Sequence, residues 1–310
     1  MSVMNKTVQR IMCFGLLAVL TAPGMLRAQT TEAMGGLRIE RNPALLGMAG
    51  AGTSSTSVSM AYAAFGNPAA SAFVSKSVEA GVSYASWAPQ YTAGKTLSAG
   101  VTGRPVESFS LSVAFSRQGF AAIEPEPNSS FTPSDLMLGA GVGYAFSEAL
   151  SLGVSLNYMK QALLSDYSLS ALAVNALAQY RTGSLNVAAG LVNLGGKVKS
   201  EGGSSYALPT SAKVAADYAL SFGKAGLQFA LDADYFFSGN YAVAAGLNLG
   251  LAGIGFLRGG YRFASPEAVI PSCLALGGGV EFKGVTLDLA CLTASSSLSG
   301  TWMAGIGYRF

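Results

Sequence analysis

The sequence contains no histidine, and only 3 of its 310 residues are cysteine. Without histidine, a serine or cysteine nucleophile lacks its usual general base, and neither residue type stands in a recognisable catalytic motif. The cysteines are too few for a disulfide framework, and they show no C-x-x-C spacing of the common zinc sites. The sequence therefore predicts a non-catalytic protein that uses neither a metal nor another cofactor.

Charged residues are also scarce, at 11% of the chain, whereas a soluble globular domain has about 25%. Glycine is abundant instead, with 39 residues in the chain. No long apolar stretch reads as a spanning helix, because glycines interrupt the longest uncharged run, Tyr235 to Leu257, and its apolar residues alternate. This composition is unusual for a water-soluble domain and favours a membrane protein that crosses with strands.

Residues 1–28 have the pattern of a secretory signal peptide. Lys6 and Arg10 precede an apolar run from Ile11 to Leu20, and a cleavage site follows at Ala28. The alternative is an uncleaved anchor helix, but the run is shorter than the roughly 20 residues that such a helix needs. Cleavage leaves 16 basic and 16 acidic residues, so no basic excess predicts a nucleic-acid partner.

From residue 77 to residue 310, apolar residues recur at every second position. Phe109, Leu111, Val113 and Phe115, for example, alternate with serine and alanine. Fourteen such segments follow one another, and short turns alternate with longer loops between them. This pattern predicts an all-β fold, a transmembrane antiparallel up-and-down β-barrel of about 14 strands in the outer membrane. A soluble β-sandwich is the alternative.

The C-terminal sequence "GTWMAGIGYRF" continues this alternation to the last residue. Trp302, Ile306, Tyr308 and Phe310 share one face, which we expect to contact lipid. A terminal Phe after alternating apolar residues resembles the signal that barrel-assembly machinery recognises. Because every backbone polar group in lipid must be paired within the protein, the last strand is expected to pair with the first.

The opposite face of the strands carries the charges. Placed on the lipid face at mid-depth, each Arg or Lys would cost about 2–4 kcal/mol, so these residues are expected to point inward. The predicted luminal charges include Glu79, Glu281 and Asp288. The charge network is predicted among Lys213, Asp217, Asp232, Asp234, Arg258 and Arg262. An internal network of ion pairs is the favoured interpretation, and a ligand-binding or ion-selective ring is the alternative. Phe256 shares the parity of the arginines, which suggests a bulge near Gly259–Gly260.

The other inward positions are mostly Gly, Ala and Ser, which are too small to fill a barrel of this size. Residues 29–76 are therefore predicted to enter the lumen as a plug. This segment contains two Asn-Pro-Ala units, at Asn42–Ala44 and Asn67–Ala69, whose residue types favour turns. Gly47, Gly50 and Gly52 lie between the two units and allow close packing.

The run "GMAGAGTS" followed by "NPA" resembles the start of FadL-like outer-membrane barrels, in particular those of the PorV/PorQ branch found in Bacteroidota. The residues that carry the resemblance are Leu37, Ile39, Gly47, Met48, Gly50, Ala51, Gly52, Asn67, Pro68 and Ala69. The resemblance implies a fourteen-stranded barrel whose amino-terminal segment folds into the lumen.

The same resemblance implies a function without catalysis. A PorV/PorQ-type protein would act in type IX secretion or surface attachment through contacts with secretion-system or surface proteins. The alternative is a FadL-like channel for the uptake of hydrophobic compounds. The further partners implied in both cases are outer-membrane lipid and the barrel-assembly machinery.

Overall fold

The computed structural model describes residues 32–74, 78–124, 130–165, 167–200 and 203–310. The predicted signal peptide and both ends of the predicted plug segment lie outside these ranges. Within them, no helix has the length and apolar character needed to cross a membrane.

Short helices precede the strands. A 3-10 helix spans Gly35–Arg38, helix α1 spans Pro43–Leu46, and helix α2 spans Pro68–Ser71. The strands are β1 (Val78–Trp87), β2 (Gly94–Val106), β3 (Phe109–Gly119), β4 (Ser134–Ala145), β5 (Leu150–Leu164), β6 (Tyr167–Thr182), β7 (Leu185–Gly195), β8 (Val198–Lys199), β9 (Ser205–Tyr206), β10 (Ser211–Phe222), β11 (Ala225–Phe236), β12 (Tyr241–Leu251), β13 (Gly255–Ala264), β14 (Cys273–Phe282), β15 (Val285–Thr293) and β16 (Trp302–Arg309).

Fourteen of these strands form one closed antiparallel barrel, in which β1 pairs with both β2 and β16. The predicted fourteen-stranded up-and-down barrel is therefore confirmed. The two remaining strands, β8 and β9, form a small hairpin within the loop that joins β7 to β10. That hairpin was not predicted, because each of its strands is only two residues long.

The alternating sequence places apolar side chains outside and polar ones inside. In β3, the Leu111 and Val113 side chains are 47% and 59% exposed, whereas the alternating residues Ser110 and Ser112 are buried. The same contrast recurs along the other barrel strands, so a band of large apolar residues surrounds the molecule. An apolar surface of this extent is far larger than the patches of a water-soluble monomer and matches the lipid-facing band of a membrane barrel.

The seam between the first and last strands closes the barrel. The register joins Glu79 to Arg309 and continues through eight pairs. Beyond it, the Phe310 N–H donates to the Val78 carbonyl oxygen at 2.9 Å. Inside the seam, Arg309 Nε lies 3.3 Å from Glu79 Oε1. The main-chain ladder leaves no free strand edge at the seam, and the ion pair adds a side-chain contact across it.

The predicted C-terminal residues all lie on the outer face. Trp302, Ile306, Tyr308 and Phe310 are exposed there. The rings of Tyr308 and Phe310 pack edge to face with centroids 4.5 Å apart, near the end of the barrel that carries the short turns. Tyr84 packs beside Trp302 near the other end. Aromatic residues thus stand near both ends of this seam, as in the girdles of membrane barrels.

The described residues of the N-terminal segment, 32–74, pass through the lumen from the loop end to the turn end. At the loop end, the Ala33 N–H donates to the Ala207 carbonyl oxygen at 2.9 Å. At the turn end, Arg181 Nη1 donates to the Phe73 carbonyl oxygen at 3.3 Å, and its guanidinium lies over the Phe73 ring. The segment is thus tied to the wall at both ends, while a plugging role stays a prediction.

The prediction of a β-bulge near Gly259–Gly260 is wrong. Strands β12, β13 and β14 are described throughout, and their registers run without a shift. Phe256 does share the inward parity of Arg258, but it is accommodated there, with its ring centroid 5.1 Å from the Arg258 guanidinium carbon. A cation–π contact thus removes the need for a change of face.

A charge placed on the outer face should destabilise the barrel according to its depth. We expect Val113→Arg, at the middle of β3, to lower the free energy of unfolding by about 2–4 kcal/mol, because the guanidinium enters hydrocarbon. Val106→Arg, at the turn end of β2, should cost about 0–1 kcal/mol because it reaches the interface. Urea unfolding of the protein in lipid vesicles measures both. An equal loss of unfolding free energy in the two variants would contradict the placement of Val113 at mid-depth and of Val106 at the interface.

Candidate luminal site

Pairs of inward glycines line the wall where the N-terminal segment passes. Each pair joins cross-strand partners on neighbouring strands. The pairs include Gly81 with Gly100, Gly143 with Gly153, and Gly246 with Gly260. A β-carbon added at Gly100, Gly153 or Gly260 would collide with the main chain of the segment. The missing side chains therefore let the segment lie directly on the wall.

The glycine-rich part of the predicted plug motif rests on one of these pairs. Met48 is fully buried against Gly246 and its partner on β13. Gly50 and Gly52 have φ angles of 85° and 106°, which residues with a β-carbon rarely adopt. Gly47 lies against the main chain of Gly277. These residues together form a tight turn pressed against β12–β14.

Both Asn-Pro-Ala units begin helices. Asn67 Oδ1 accepts the N–H groups of Ala69 and Ala70 at 3.0 and 3.3 Å, and Pro68 occupies the first helical position, where it loses no hydrogen bond. Asn42 caps α1 in the same way. Asn67 also reaches the wall, because its Nδ2 donates to Gln179 Oε1 at 2.7 Å. The units are therefore capped helix starts that also position the segment.

Two groups of predicted residues meet at Asp232. Lys213 Nζ lies 3.5 Å from Asp232 Oδ2 and 2.9 Å from Asp234 Oδ2. Asp232 Oδ1 in turn accepts the Gly52 N–H at 2.8 Å. Asp217, which lies four residues after Lys213 on β10, accepts a hydrogen bond from the Ser54 hydroxyl at 2.9 Å. The luminal carboxylates thus anchor the segment as well as pairing with the lysine.

The predicted charge network is divided rather than continuous. Arg258 pairs with Asp288, at 2.5 Å, and not with the Lys213 group. Within the described part of the chain, Arg262 forms no ion pair. Cross-strand register explains the division, because Arg258 faces Asn248 and Gly277 while Lys213 faces Asp234 and Gly190. Shared parity put these residues inside, but register decided which of them meet.

Sequence reasoning missed the charges of the N-terminal segment itself. Arg38 pairs with Glu32, and its guanidinium carbon lies 3.6 Å from the centroid of the Phe236 ring. Arg41 is only 4% exposed and donates Nη1 to the Ile39 carbonyl oxygen. The charges in "RIER", within an otherwise apolar segment predicted to be luminal, were the signal that could have found them.

Burial shifts the pKa values of the Glu40 carboxyl and the Arg41 guanidinium. The Glu40 carboxylate accepts the N–H groups of Arg41 and Asn42 at 2.9 and 2.8 Å, yet burial raises the pKa of this carboxyl. Burial also lowers the pKa of the Arg41 guanidinium to about 10. Arg41 therefore stays cationic at neutral pH, and Glu40 is the main neighbouring charge that favours this form.

Carboxamides on the inner wall were missed as well. Gln179 Nε2 donates to the Ser54 carbonyl oxygen at 2.9 Å, and Asn175 Nδ2 donates to the Phe65 carbonyl oxygen at 3.2 Å. Both glutamine and asparagine stand at inward parity in β6. Their parity placed them in the lumen, but only the path of the segment shows that they hold its main chain.

A cavity of about 170 Å³ remains between the segment and the wall. Part of its lining is apolar, including Leu46, Trp87, Ile270 and Leu292. Its charged lining residues are Arg38, Glu40, Arg41, Lys213, Asp234 and Arg262. Among the described residues, no group of three or more carboxylates and cysteines is arranged to hold a metal ion. The lining of the cavity is therefore amphipathic.

No family model matches this sequence, and no curated protein matches it.

Several solved structures share its fold. A Pseudomonas aeruginosa FadL homologue is 13% identical, with a TM-score of 0.57, and the match covers 87% of this chain and 98% of that one. The monoaromatic hydrocarbon channel CymD is 12% identical, with a TM-score of 0.59 over 87% and 97% of the two chains. The Pseudomonas putida toluene transporter TodX is 11% identical, with a TM-score of 0.59 over 87% and 98%. This likeness shows a FadL-type barrel fold.

A larger side chain beneath the segment should displace it. We expect Gly153→Leu to overlap the main chain at Ala69 and to favour a displaced segment by about tenfold or more. Trypsin should then cleave after Arg41, which is buried in the native protein, and mass spectrometry of the fragments measures the rate. Gly119→Leu, which meets no atom within 4 Å, is the control. Unchanged cleavage in a folded Gly153→Leu variant would show that the contact is dispensable.

Proposed function

We propose that this protein is a non-catalytic outer-membrane channel for small hydrophobic compounds, with the N-terminal segment as its plug. The observation that carries the proposal is the partly apolar luminal cavity of about 170 Å³. An apolar cavity of about 150 Å³ is enough to hold benzene, so the space suits a single-ring compound. The shared fold with a monoaromatic hydrocarbon channel and a toluene transporter supports the same class of compound.

The proposed route leads through the cavity, which lies between the segment and a wall that includes β10, β11, β13 and β14. The segment is hydrogen-bonded on both sides of the lumen. Thr102 on β2 and Ser151 on β5 donate to its carbonyl oxygens at 2.6 and 2.8 Å, and Asp217 and Asp232 accept from it on β10 and β11. Passage through the barrel would therefore require part of the segment to move away from the cavity wall.

The location follows from the outer face and from the predicted export signal. A band of exposed apolar residues surrounds a closed barrel, which suits a bilayer. Export by a signal peptide at residues 1–28, insertion by barrel-assembly machinery and contact with outer-membrane lipid belong to the same proposal.

The type IX secretion role implied by the PorV/PorQ resemblance stays a prediction. Its support is the motif formed by Gly47 to Gly52 and Asn67 to Ala69. Packing against the wall already accounts for these residues, so the motif favours neither function over the other. Secretion-system or surface proteins remain the partners that this role would require.

Uptake of toluene by cells that express the protein tests the channel. We expect expression to raise the initial rate above that of cells with the empty vector. Ile270→Trp should lower the rate about tenfold, because the indole fills the cavity that Ile270 lines. Val269→Trp is the matched control, because Val269 is 47% exposed and does not line the cavity.

Deletion of the gene in its own cells separates the two functions. Normal protein secretion with slower toluene uptake supports the channel. Unchanged uptake with lost secretion would overturn the channel and favour the type IX role.

A further inference from the structure

The cavity wall carries an excess of positive charge. Of its six charged lining residues, four are cationic and two are anionic. Two of the cations are neutralised nearby, because Arg38 pairs with Glu32 and Lys213 pairs with Asp234. The other two, Arg41 and Arg262, form no ion pair with any described residue. Two guanidinium groups therefore border the cavity without an ion pair of their own, although Asp234 acts on Arg262 electrostatically.

The Glu40 and Asp135 carboxylates act on Arg41 electrostatically, but neither forms an ion pair with it. Glu40 turns Oε1 to main-chain N–H groups, and burial raises the pKa of its carboxyl. Asp135 accepts Gln161 Nε2 at 3.1 and 3.2 Å. Arg41 is only 4% exposed, and its Nε has no hydrogen-bond acceptor. A buried cation with a spare donor is costly unless an acceptor fills the space beside it.

Arg262 stands where the charged and apolar parts of the cavity meet. Its cross-strand partner is Cys273, which packs in one buried cluster with Trp87, Ile270 and Leu292. The Nε of Arg262 also has no acceptor within the described chain. An organic molecule with a charged end at Arg262 would therefore place its body on this apolar cluster.

We propose that the cavity binds a small organic anion with an apolar body, of the single-ring carboxylate class. This inference rests on the proposed channel and names the class of compound that the channel takes. The carboxylate pairs with Arg262, whose planar guanidinium presents donors that match two carboxylate oxygens. The ring packs against Trp87 and Ile270, and Arg41 adds positive potential from the segment. A neutral ring of equal size would leave the Nε atoms of Arg41 and Arg262 without an acceptor.

Binding of benzoate and toluene to the purified full-length protein in detergent tests this assignment. Isothermal titration calorimetry should show benzoate binding about tenfold or more tightly than toluene, because a charge-assisted pair forms only with the carboxylate. This comparison needs no variant. Equal affinities for the two probes, or tighter binding of toluene, would overturn the assignment.

Substitution of Arg262 then locates the carboxylate. Arg262→Gln should weaken benzoate binding about tenfold or more and leave toluene binding unchanged. Arg262→Lys should retain part of the benzoate affinity, because the charge remains without the planar fork. Arg117→Gln, which removes an exposed arginine from the outer end of β3, should change neither affinity. Unaltered benzoate binding in a folded Arg262→Gln variant would overturn the role of Arg262.

Uptake assays with the same two probes separate this inference from the channel itself. Uptake of toluene without binding or uptake of benzoate would overturn the anion site and leave the channel standing. Tight benzoate binding without uptake of either compound would support the site and overturn the channel.

Discussion

The main-chain ladder between the first and last strands is the interaction on which the rest of the structure depends. A sheet with a free edge in lipid would leave N–H and C=O groups unpaired, at several kcal/mol for each. The eight register pairs that join β1 to β16 remove that edge. Once the sheet is closed, period-two alternation sends one set of side chains to lipid and the other to the lumen, so the contents of the lumen are fixed by the same constraint.

The lumen is filled by the main chain of the N-terminal segment rather than by large side chains of the wall. Fourteen strands surround more space than serine, alanine and glycine can fill, and paired glycines such as Gly143 and Gly153 let the N-terminal segment lie on the wall itself. Asp217 and Asp232 accept hydrogen bonds from the segment in addition to those from wall side chains, so the same carboxylates serve the wall and the segment. Contacts of this kind are reversible, and that property suits a segment proposed to move.

The cavity exists because the charges of the segment and of the wall are only partly matched. Lys213 and Arg38 find carboxylates, whereas Arg41 and Arg262 border a space that no described side chain fills. In a medium of low dielectric constant such an imbalance is maintained only at a cost, which a bound anion would remove. The polar filling of the barrel and its proposed selectivity therefore arise from the same residues.

Period-two alternation and alternating loop lengths are local features, and they determined the number of strands, the faces of Trp302 and Phe310, and the luminal position of the charges. Register and the path of the segment depend on residues far apart in sequence, so only the tertiary structure decided that Arg258 meets Asp288 rather than the Lys213 group. It also decided that Asp232 holds Gly52, and that Arg41 borders a cavity. Parity assigns a side chain to a face, whereas its neighbours on that face are chosen by backbone pairing around the whole ring.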